Sequence, residues 1–223
     1  MERCDFLPVS AEEMHERGWW WYDALVVGGD AYVDHPSFGT AVISRVLEAE
    51  GLRVAVLAQP DWHDAEAFRA MGRPRLGVFI GAGNLDSMVA HYTAAKRRRS
   101  EDFYSPGKRT GCRPDRAAIV YCNRAREAFG PDMPIILGSL EASLRRFAHY
   151  DYWDDSVRRA ILFDAPADLL VYGMGEAATI EIARRLRKKQ SVRTMTDIPG
   201  TGYITRDPAV CKFDHITLPS FED

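Results

Sequence analysis

Five short apolar runs, separated by stretches of helical periodicity, place the tightest constraint on what this chain can fold into. The runs occupy residues 24–28, 54–58, 76–80, 134–137 and 169–172. All five are rich in Val, Ile and Leu without polar alternation, which is typical of strands covered on both faces. Such strands alternating with helices predict an α/β fold. The expected architecture is a doubly wound, mostly parallel, five-stranded Rossmann-like sheet of the flavodoxin type.

Three longer segments between the runs have the apolar spacing of helices. They cover residues 37–50, 114–129 and 176–189, and the hydroxyl of Ser37 is the expected cap of the first. The stretch after residue 190 has strand-like and turn-like pieces but no obvious core. We therefore expect one domain over residues 1–190, followed by an irregular linker or tail over 191–223.

Four of the five runs end in glycine followed by small or polar residues. Open parallel sheets bind ligands at the carboxyl ends of their strands, where glycine lets a ligand approach the backbone. The alternative is that glycine only turns the chain at these points. The predicted cofactor-binding residues are Gly28, Gly29, Asp30, Asp34, His35, Ser37, Gly138, Ser139, Glu141, Gly173, Gly175 and Glu176.

The loop after the first run, residues 28–37, lacks the known phosphate-binding signatures. It has no GxGxxG, and no GxxxxGK[ST] occurs in the chain. Asp30, Asp34 and His35 suggest either a metal or acid–base cluster or an ordinary hydrogen-bonded loop. Neither a Ser/His/Asp nor a Cys/His arrangement stands out, so we assign no catalytic residue and no metal ligand.

Two further segments interrupt the regular pattern. Residues 92–116 form a long loop rich in Lys and Arg with interleaved aromatic residues, and its part 96–116 is a candidate contact for RNA. Residues 148–159, "AHYDYWDDSVRR", are interpreted as a helix entry whose carboxylates pair with Arg158 and Arg159. A cluster of functional carboxylates around His149 is the alternative.

Composition narrows the function classes. The formal net charge of -3 gives the whole chain no general affinity for nucleic acid or membranes. No apolar run approaches the length of a membrane span and the first residues do not form a secretory signal, so no membrane partner is expected. Four scattered cysteines predict a reduced, cytoplasmic protein.

Several long stretches resemble the N-terminal region of YgiQ-family radical SAM proteins. They are "GGDAYVDHPSFGTAVISRVLEAEGLRVAVLAQPDW" (28–62), "GNLDSMVAHYTAAKRRR" (83–99), "PIILGSLEASLRRFAHYDYWDDSVRR" (134–159) and "DIPGTGY" (197–203). The resemblance implies a domain that precedes, and partners, a radical SAM barrel whose CxxxCxxC motif holds a [4Fe–4S] cluster and S-adenosylmethionine. That motif is absent from these residues, so we expect this chain alone to be non-catalytic.

The order of the strand-end motifs is also similar to that of cobalamin-binding domains fused to radical SAM barrels. The long first loop, "ILGS", "YGMGE" and "DIPG" follow one another as they do there. The histidine signature DxHxxG is not matched, because Asp34 and His35 are adjacent and Val33 stands two residues before the histidine. The resemblance implies cobalamin as a candidate ligand at Gly28, Gly138 and Gly173.

Three functions follow as hypotheses. The chain is the N-terminal module of a YgiQ-type radical SAM protein of unassigned substrate, a binding module for cobalamin or a nucleotide, or an RNA-contacting domain. The substrate of the whole protein, a small molecule or RNA, is not indicated by the sequence.

Overall fold

A computed structural model describes residues 6–222 as an open sheet with helices on both faces. Its strands are β1 (Ala24–Gly28), β2 (Val54–Ala58), β3 (Gly77–Ile80), β4 (Ile135–Leu137), β5 (His149–Asp151), β6 (Ser156–Arg158), β7 (Leu169–Val171) and β8 (Thr201–Gly202). Its α-helices are α1 (Ala11–Glu16), α2 (Gly39–Ala49), α3 (Glu66–Ala70), α4 (Ser87–His91), α5 (Ala117–Phe129), α6 (Ser139–Leu144) and α7 (Glu176–Arg187).

The central sheet confirms the predicted doubly wound α/β fold. Its strand order is β2-β1-β3-β4-β7-β8, and the first five strands run parallel. The order reverses between β1 and β3, which is where such sheets open a crevice at the carboxyl ends of their strands. The five strands are the five apolar runs, and the sheet gains a sixth member, because β8 pairs antiparallel to β7.

Both faces of the sheet are buried, which explains why its strands lack polar alternation. Successive side chains of a strand point to opposite faces. Leu25 and Val27 of β1 join a core that also holds Phe68 of α3 and Tyr121 of α5. Val26 points to the other face and packs in a second core with residues of α2 and α7.

The predicted helices exist, and α7 begins at Glu176 and α5 ends at Phe129 as expected, whereas the other ends differ by one to three residues. Helix α2 begins at Gly39 with Phe38 as its N-cap and without a side-chain cap. Ser37 is therefore not the cap; the side chain of Asn84 takes that place, because its Oδ1 accepts from the Gly39 N–H at 3.2 Å. Within residues 6–222, no helix has the length and apolar character needed to cross a membrane.

The first part of the predicted tail belongs to the packed fold. Val192, Met195 and Ile198 are buried in the core on the α2 and α7 side of the sheet. Thr201 and Gly202 then form β8 on the edge of β7. Residues 191–202 are thus more ordered than the sequence predicts, because three apolar side chains spaced along an irregular backbone give no periodic signal.

Each edge of the sheet is covered by a short piece of chain. The N–H of Val56 in β2 donates to the carbonyl oxygen of Pro8 at 2.9 Å. At the opposite edge, β8 pairs with β7, and the N–H of Tyr172 donates to the carbonyl oxygen of Gly200 at 3.0 Å. Short flanking segments therefore cover both outer strands of the parallel sheet.

The segment predicted as a helix entry, 148–159, is a β-hairpin instead. Strands β5 and β6 pair antiparallel, with His149 opposite Arg158 and Asp151 opposite Ser156. Asp151 is buried while Tyr150 and Tyr152 are exposed. This alternation has the period of a strand, and Asp155 adopts the left-handed φ of 52° that a tight turn requires.

Ion pairs hold the hairpin against the body of the domain. Arg116, placed just before α5, donates from Nη2 to Asp151 Oδ2 at 3.0 Å and to Asp154 Oδ2 at 2.7 Å. Arg158 pairs with the same two aspartates, as the sequence predicts, and with Asp164 at 2.8 Å. The carboxylates of this motif therefore fix the hairpin rather than forming an open acidic site.

We expect Asp151→Asn to weaken the fold in a pH-dependent way. Burial by itself raises the pKa of Asp151, but hydrogen bonds from Arg116 and the Trp153 backbone outweigh it and hold the pKa below its usual value. The wild-type carboxylate therefore stabilises the fold above the ordinary aspartate pKa, and this contribution disappears as pH falls through the lower folded-state value. Urea unfolding should show a deficit of about 1–3 kcal/mol at neutral pH that narrows below about pH 4.

Asp132→Asn is the matched control, because Asp132 is exposed. Its effect on the free energy of unfolding should stay within about 0.5 kcal/mol. A deficit for Asp151→Asn that is the same at neutral and acidic pH would contradict the ion-pair explanation.

Candidate functional site

A cleft lies at the carboxyl ends of the parallel strands, between the sheet edge and helices α2 and α7. Its empty volume is about 900 Å³, including the open mouth. Strands β1, β3, β4 and β7 all contribute to its lining. It is therefore at the strand-order reversal, the edge for which the sequence predicts a site.

The deep part of the cleft is apolar. Val26, Phe79, Ile136 and Val171 come from four adjacent strands and form one wall. Val42 and Ile43 of α2 also line it. Apolar walls with a few polar groups are typical of cofactor pockets, in which the walls supply binding energy and the polar groups set orientation.

The polar groups of the cleft lie on α2 and at the starts of α6 and α7. They are the hydroxyls of Thr40, Ser139 and Thr179 and the carboxylate of Glu176. Ser139 adopts a left-handed φ of 74°, and its hydroxyl oxygen accepts from the Ala82 N–H at 3.1 Å. Polar side chains thus accompany the glycines that end the strands.

Two glycines leave open space at this edge. A Cβ on Gly138 would find its nearest atom, the Val171 carbonyl oxygen, 3.7 Å away, and a Cβ on Gly173 would meet nothing within 4 Å. The loop at Gly173 is also tied to helix α6, which begins directly after Gly138, because the Gly173 N–H donates to Ser143 Oγ at 3.3 Å. Gly138 and Gly173 therefore form a rim of the cleft with open space beside it.

The structure brings five of the twelve predicted binding residues to this cleft. They are Gly138, Ser139, Gly173, Gly175 and Glu176. The other seven, Gly28, Gly29, Asp30, Asp34, His35, Ser37 and Glu141, do not line it. Most of those seven belong to the first loop, where each has a separate structural explanation.

Gly28 and Gly29 are required by close packing against the protein itself. A Cβ on Gly28 would lie 2.6 Å from the Thr40 hydroxyl, and one on Gly29 would lie 2.0 Å from the Ala82 carbonyl oxygen. Gly29 is therefore the point at which β1 passes the loop after β3. These glycines make room for the chain rather than for a ligand.

The predicted group of Asp34, His35 and Ser37 does not act as a unit. Asp34 accepts from Arg45 Nε at 3.0 Å. The His35 ring accepts at Nδ1 from the Ser37 N–H at 3.2 Å. Asp34 and His35 thus have different partners, and Ser37 contributes its backbone.

Asp30 belongs to a buried ion network centred on Arg113. The Arg113 side chain is fully buried and pairs with Asp30 Oδ1 at 2.9 Å and with Asp102 Oδ2 at 3.0 Å. Burial raises the pKa of Asp30, and the Arg113 charge and the Asn84 N–H oppose that shift. The network joins the end of β1 to the long loop over residues 92–116.

Further hydrogen bonds fasten the same loop to the sheet. Ser105 Oγ donates to Asp102 Oδ2 at 2.9 Å, and the Ala31 N–H donates to the Tyr104 carbonyl oxygen at 2.8 Å. Gln59 Nε2 bridges the Gly29 carbonyl oxygen and Ser105 Oγ at 2.9 and 2.7 Å. The loop therefore covers the end of β1 and the adjoining end of β2, and none of residues 92–116 lines the cleft.

Glu141 serves the starts of two helices. Its carboxylate is buried and accepts from the Ser87 N–H of α4 at 2.9 Å and the Ala118 N–H of α5 at 3.0 Å. Burial raises the pKa of Glu141, while the bonds from Ser87 lower it. Glu141 satisfies free backbone donors at the first turns of those helices and has no open position for a ligand.

Sequence reasoning missed the residues that α2 contributes. Thr40 and Ile43 are three apart, so they share a helix face, and both line the cleft. The apolar face of α2 indicated a helix packed on the sheet, but its first turn also lines the cleft. The sequence of α2 does not reveal this second role, because the role depends on which strand ends the helix lies beside.

The described residues offer no donor set for a metal or an iron–sulfur cluster. Across residues 6–222, no group of three or more His, Cys, Asp or Glu side chains is placed to hold a metal ion. Cys112 and Cys211 are partly exposed and Cys122 is buried, and all three are free thiols. Cys4 lies outside the described residues.

Comparisons with known proteins agree on a family. A profile of the family described as radical SAM N-terminal matches residues 6–223. The UPF0313 protein of Clostridium botulinum strain 657 is 55% identical over 223 residues, which is 100% of this chain and 35% of that protein. A UPF0313 protein of Clostridium perfringens strain SM101 is 52% identical over 223 residues, 100% of this chain and 34% of the relative. The chain thus spans about a third of the length of the curated relatives it matches.

A similar fold occurs among solved structures. It is found in the radical S-adenosylmethionine methyltransferase TsrM from Kitasatospora setae with cobalamin and a [4Fe-4S] cluster bound. The TM-score is 0.50 with 20% sequence identity, and the match covers 82% of this chain and 27% of that one. At this identity the likeness concerns the fold alone.

Replacing each of two strand-end glycines by alanine should separate a packing glycine from a rim glycine. Gly29→Ala forces a Cβ against the Ala82 carbonyl, so we expect a loss of about 1–3 kcal/mol or more in the free energy of unfolding. Gly138 has an extended backbone with φ -142° and free space, so Gly138→Ala should stay within about 0.5 kcal/mol of wild type. Equal losses in urea unfolding would contradict this assignment.

Removing the buried guanidinium should be more damaging than removing an exposed one. Arg113→Ala leaves Asp30 and Asp102 buried without their cation, so the free energy of unfolding should fall by about 3–5 kcal/mol. Arg109→Ala, in the same loop but exposed, should change it by less than about 0.5 kcal/mol. A loss at Arg113 no larger than at Arg109 would show that the network does not hold the loop.

Proposed function

Because the chain belongs to the radical SAM N-terminal family, we propose that it is the ligand-holding, non-catalytic module of a radical SAM protein. The [4Fe–4S] cluster and S-adenosylmethionine belong, in this proposal, to a radical SAM barrel in the same or a split polypeptide. The described part of the chain supports this division, since it offers no group of three metal-binding side chains. The substrate of the barrel is not part of the proposal.

The observation that carries the proposal is the apolar cleft at the carboxyl edge of the sheet. Its wall of Val26, Phe79, Ile136 and Val171 suits a flat, weakly polar ring, and its hydroxyls suit the polar groups attached to such a ring. The nucleotide tail of cobalamin has this composition. A free nucleotide is the second candidate, because its base and sugar offer the same two kinds of surface.

The residues around the cleft fit the nucleotide tail of cobalamin in two ways. The space beside Gly138 and Gly173 would accept the ligand at the rim. Ser139 and Thr179 would face its polar atoms from the starts of α6 and α7. Cobalamin, when bound, supplies a cobalt centre that carries a transferable group, while the chain binds and orients its tail.

Histidine ligation of cobalt is not part of the proposal. The His35 Nδ1 accepts from the Ser37 N–H, and the neighbouring Asp34 is bound to Arg45. No carboxylate is therefore available within this pair to orient the ring toward a metal. The proposed binding rests on the tail and the cleft alone.

Absorbance titration of this chain with hydroxocobalamin tests the proposal. We expect micromolar binding, and cobinamide, which lacks the nucleotide tail, should bind at least about tenfold more weakly. Gly138→Leu should abolish binding by filling the rim without backbone strain, because Gly138 is extended. Gly202→Val is the control, since Gly202 lies outside the cleft and a Cβ there meets its nearest atom at 3.9 Å.

The outcomes separate the candidates. Displacement of cobalamin by adenosine monophosphate, with tighter binding of the latter, would favour the free nucleotide. Equal affinity for cobinamide and cobalamin would contradict tail binding, and no binding of either at millimolar concentration would remove the cofactor proposal. Iron–sulfur absorbance after anaerobic reconstitution of this chain would overturn its assignment as the non-catalytic part.

A further inference from the structure

A tight turn in the loop over residues 92–116 presents a run of basic side chains to solvent. The Thr93 N–H donates to the Arg97 carbonyl oxygen at 2.9 Å, and the Lys96 N–H donates back to the Thr93 carbonyl oxygen at 2.9 Å. Lys96 takes a left-handed φ of 57° at the turn. Residues 96–99 are all exposed, so four cations project from a defined backbone.

None of the three guanidiniums of this turn forms a direct ion pair within residues 6–222, although Arg98 lies near enough to Asp115 to interact with its carboxylate electrostatically. Arg98 donates to the Tyr92 hydroxyl at 3.4 Å, and Arg99 donates to the carbonyl oxygens of Val89 and Tyr92 at 3.1 and 3.2 Å. Neither these two nor Arg97 forms an ion pair with a carboxylate in the stretch 6–222, in contrast to Arg45 or Arg116. The turn therefore carries a local positive field although the whole chain has a net charge of -3.

Arg98 and Arg99 also line an open surface groove of about 980 Å³, including its mouth. Phe103 lines the same groove and is 73% exposed. Its two acidic side chains are already paired, because Asp102 is bound to Arg113 and Glu101 lies 3.7 Å from Lys108. The groove thus presents guanidiniums and an exposed aromatic ring, whose centre lies 4.8 Å from the Lys108 ammonium.

Aromatic side chains continue on the other side of the turn. Trp153 of the hairpin lies 5.1 Å from the ring of Tyr92 and 5.4 Å from that of Tyr152. The Lys96 ammonium lies 4.9 Å from the Tyr152 ring and donates to the Trp153 carbonyl oxygen at 3.2 Å. The basic turn and the hairpin therefore form one continuous surface.

We propose that this surface, formed by the 93–99 turn, the groove at Phe103 and the hairpin aromatics, binds single-stranded nucleic acid. Guanidiniums without carboxylate partners neutralise phosphates, and exposed rings stack on unpaired bases. An acidic protein would satisfy the cations but would leave Phe103 without a stacking partner. A duplex would present phosphates but would keep its bases stacked on one another.

Fluorescence polarisation of the purified chain with a labelled uridine RNA of about 12 nucleotides tests the proposal. We expect binding at about 50 mM salt that weakens steeply as salt rises. In the variant Arg97→Gln/Arg98→Gln/Arg99→Gln, affinity should fall at least about tenfold, and the slope of log K against log[salt] should flatten by about 2 units. The matched control removes an equal charge from the end of α7, Arg187→Gln/Lys188→Gln/Lys189→Gln, and should keep both affinity and slope nearly unchanged.

A second pair of variants separates stacking from charge. Phe103→Leu should weaken RNA binding about tenfold, whereas Phe213→Leu, at a ring that is also exposed, should not. Circular dichroism and urea unfolding of every variant keep loss of fold apart from loss of binding. These measurements do not depend on cobalamin affinity. A negative result for RNA binding would therefore leave the cofactor proposal standing, and a negative result for cobalamin would leave the RNA proposal standing.

The proposal would be overturned by any one of four results, of which three concern the RNA titration and its competitors. These three are no RNA binding by the wild-type chain at low salt, an equal loss in the α7 control, and displacement by polyglutamate as effective as by unlabelled RNA. The last result, with Phe103→Leu unaffected, would instead identify an acidic protein surface as the partner. The fourth is a hairpin RNA duplex that binds more tightly than the single strand, which would contradict the stacking argument.

Discussion

The arrangement at the carboxyl edge of the sheet depends on one buried arginine. Arg113 neutralises Asp30 at the end of β1 and Asp102 in the long loop, and it also donates to the Ala82 carbonyl oxygen after β3. A guanidinium is suited to this position because its planar fork of donors reaches several acceptors at once. With the loop fastened there, the ends of β1 and β2 are covered on one side, and the cleft stays free of residues 92–116.

Charged and apolar side chains therefore occupy different places at the carboxyl edge of the sheet. The acidic residues of the first loop are used internally, Asp30 with Arg113 and Asp34 with Arg45, and the interior of the cleft receives mostly apolar side chains. An ion inside the cleft would have to be desolvated there, whereas a weakly polar ring gains from displacing water. This division supports a ligand held by shape and apolar contact rather than by ion pairing.

The sequence predicted the parallel strands well, because burial on both faces leaves an unmixed apolar signal such as that of 54–58. It failed where the partner is distant in sequence: Asn84 replaces Ser37 as the cap of α2, and no local pattern links Asp30 to Arg113. The hairpin differs from both, since its buried residue is Asp151 and its exposed residues are Tyr150 and Tyr152, the reverse of the apolar pattern by which a strand is recognised. Gly138 and Gly173 line the cleft, but the pattern of glycine at strand ends did not distinguish them from Gly29, which the Ala82 backbone requires.

The covered edges of the sheet restrict how this domain can join another protein. With Pro8 bonded to Val56 in the middle of β2 and the two-residue strand β8 laid along β7, the outer strands of the parallel sheet are each partly covered. Growth of the sheet by addition of a strand from a second chain is therefore disfavoured, which also protects the domain from edge-to-edge aggregation. Contacts with a neighbouring domain must instead use side chains on helices and loops, so their specificity resides in residues that can change without disturbing the sheet.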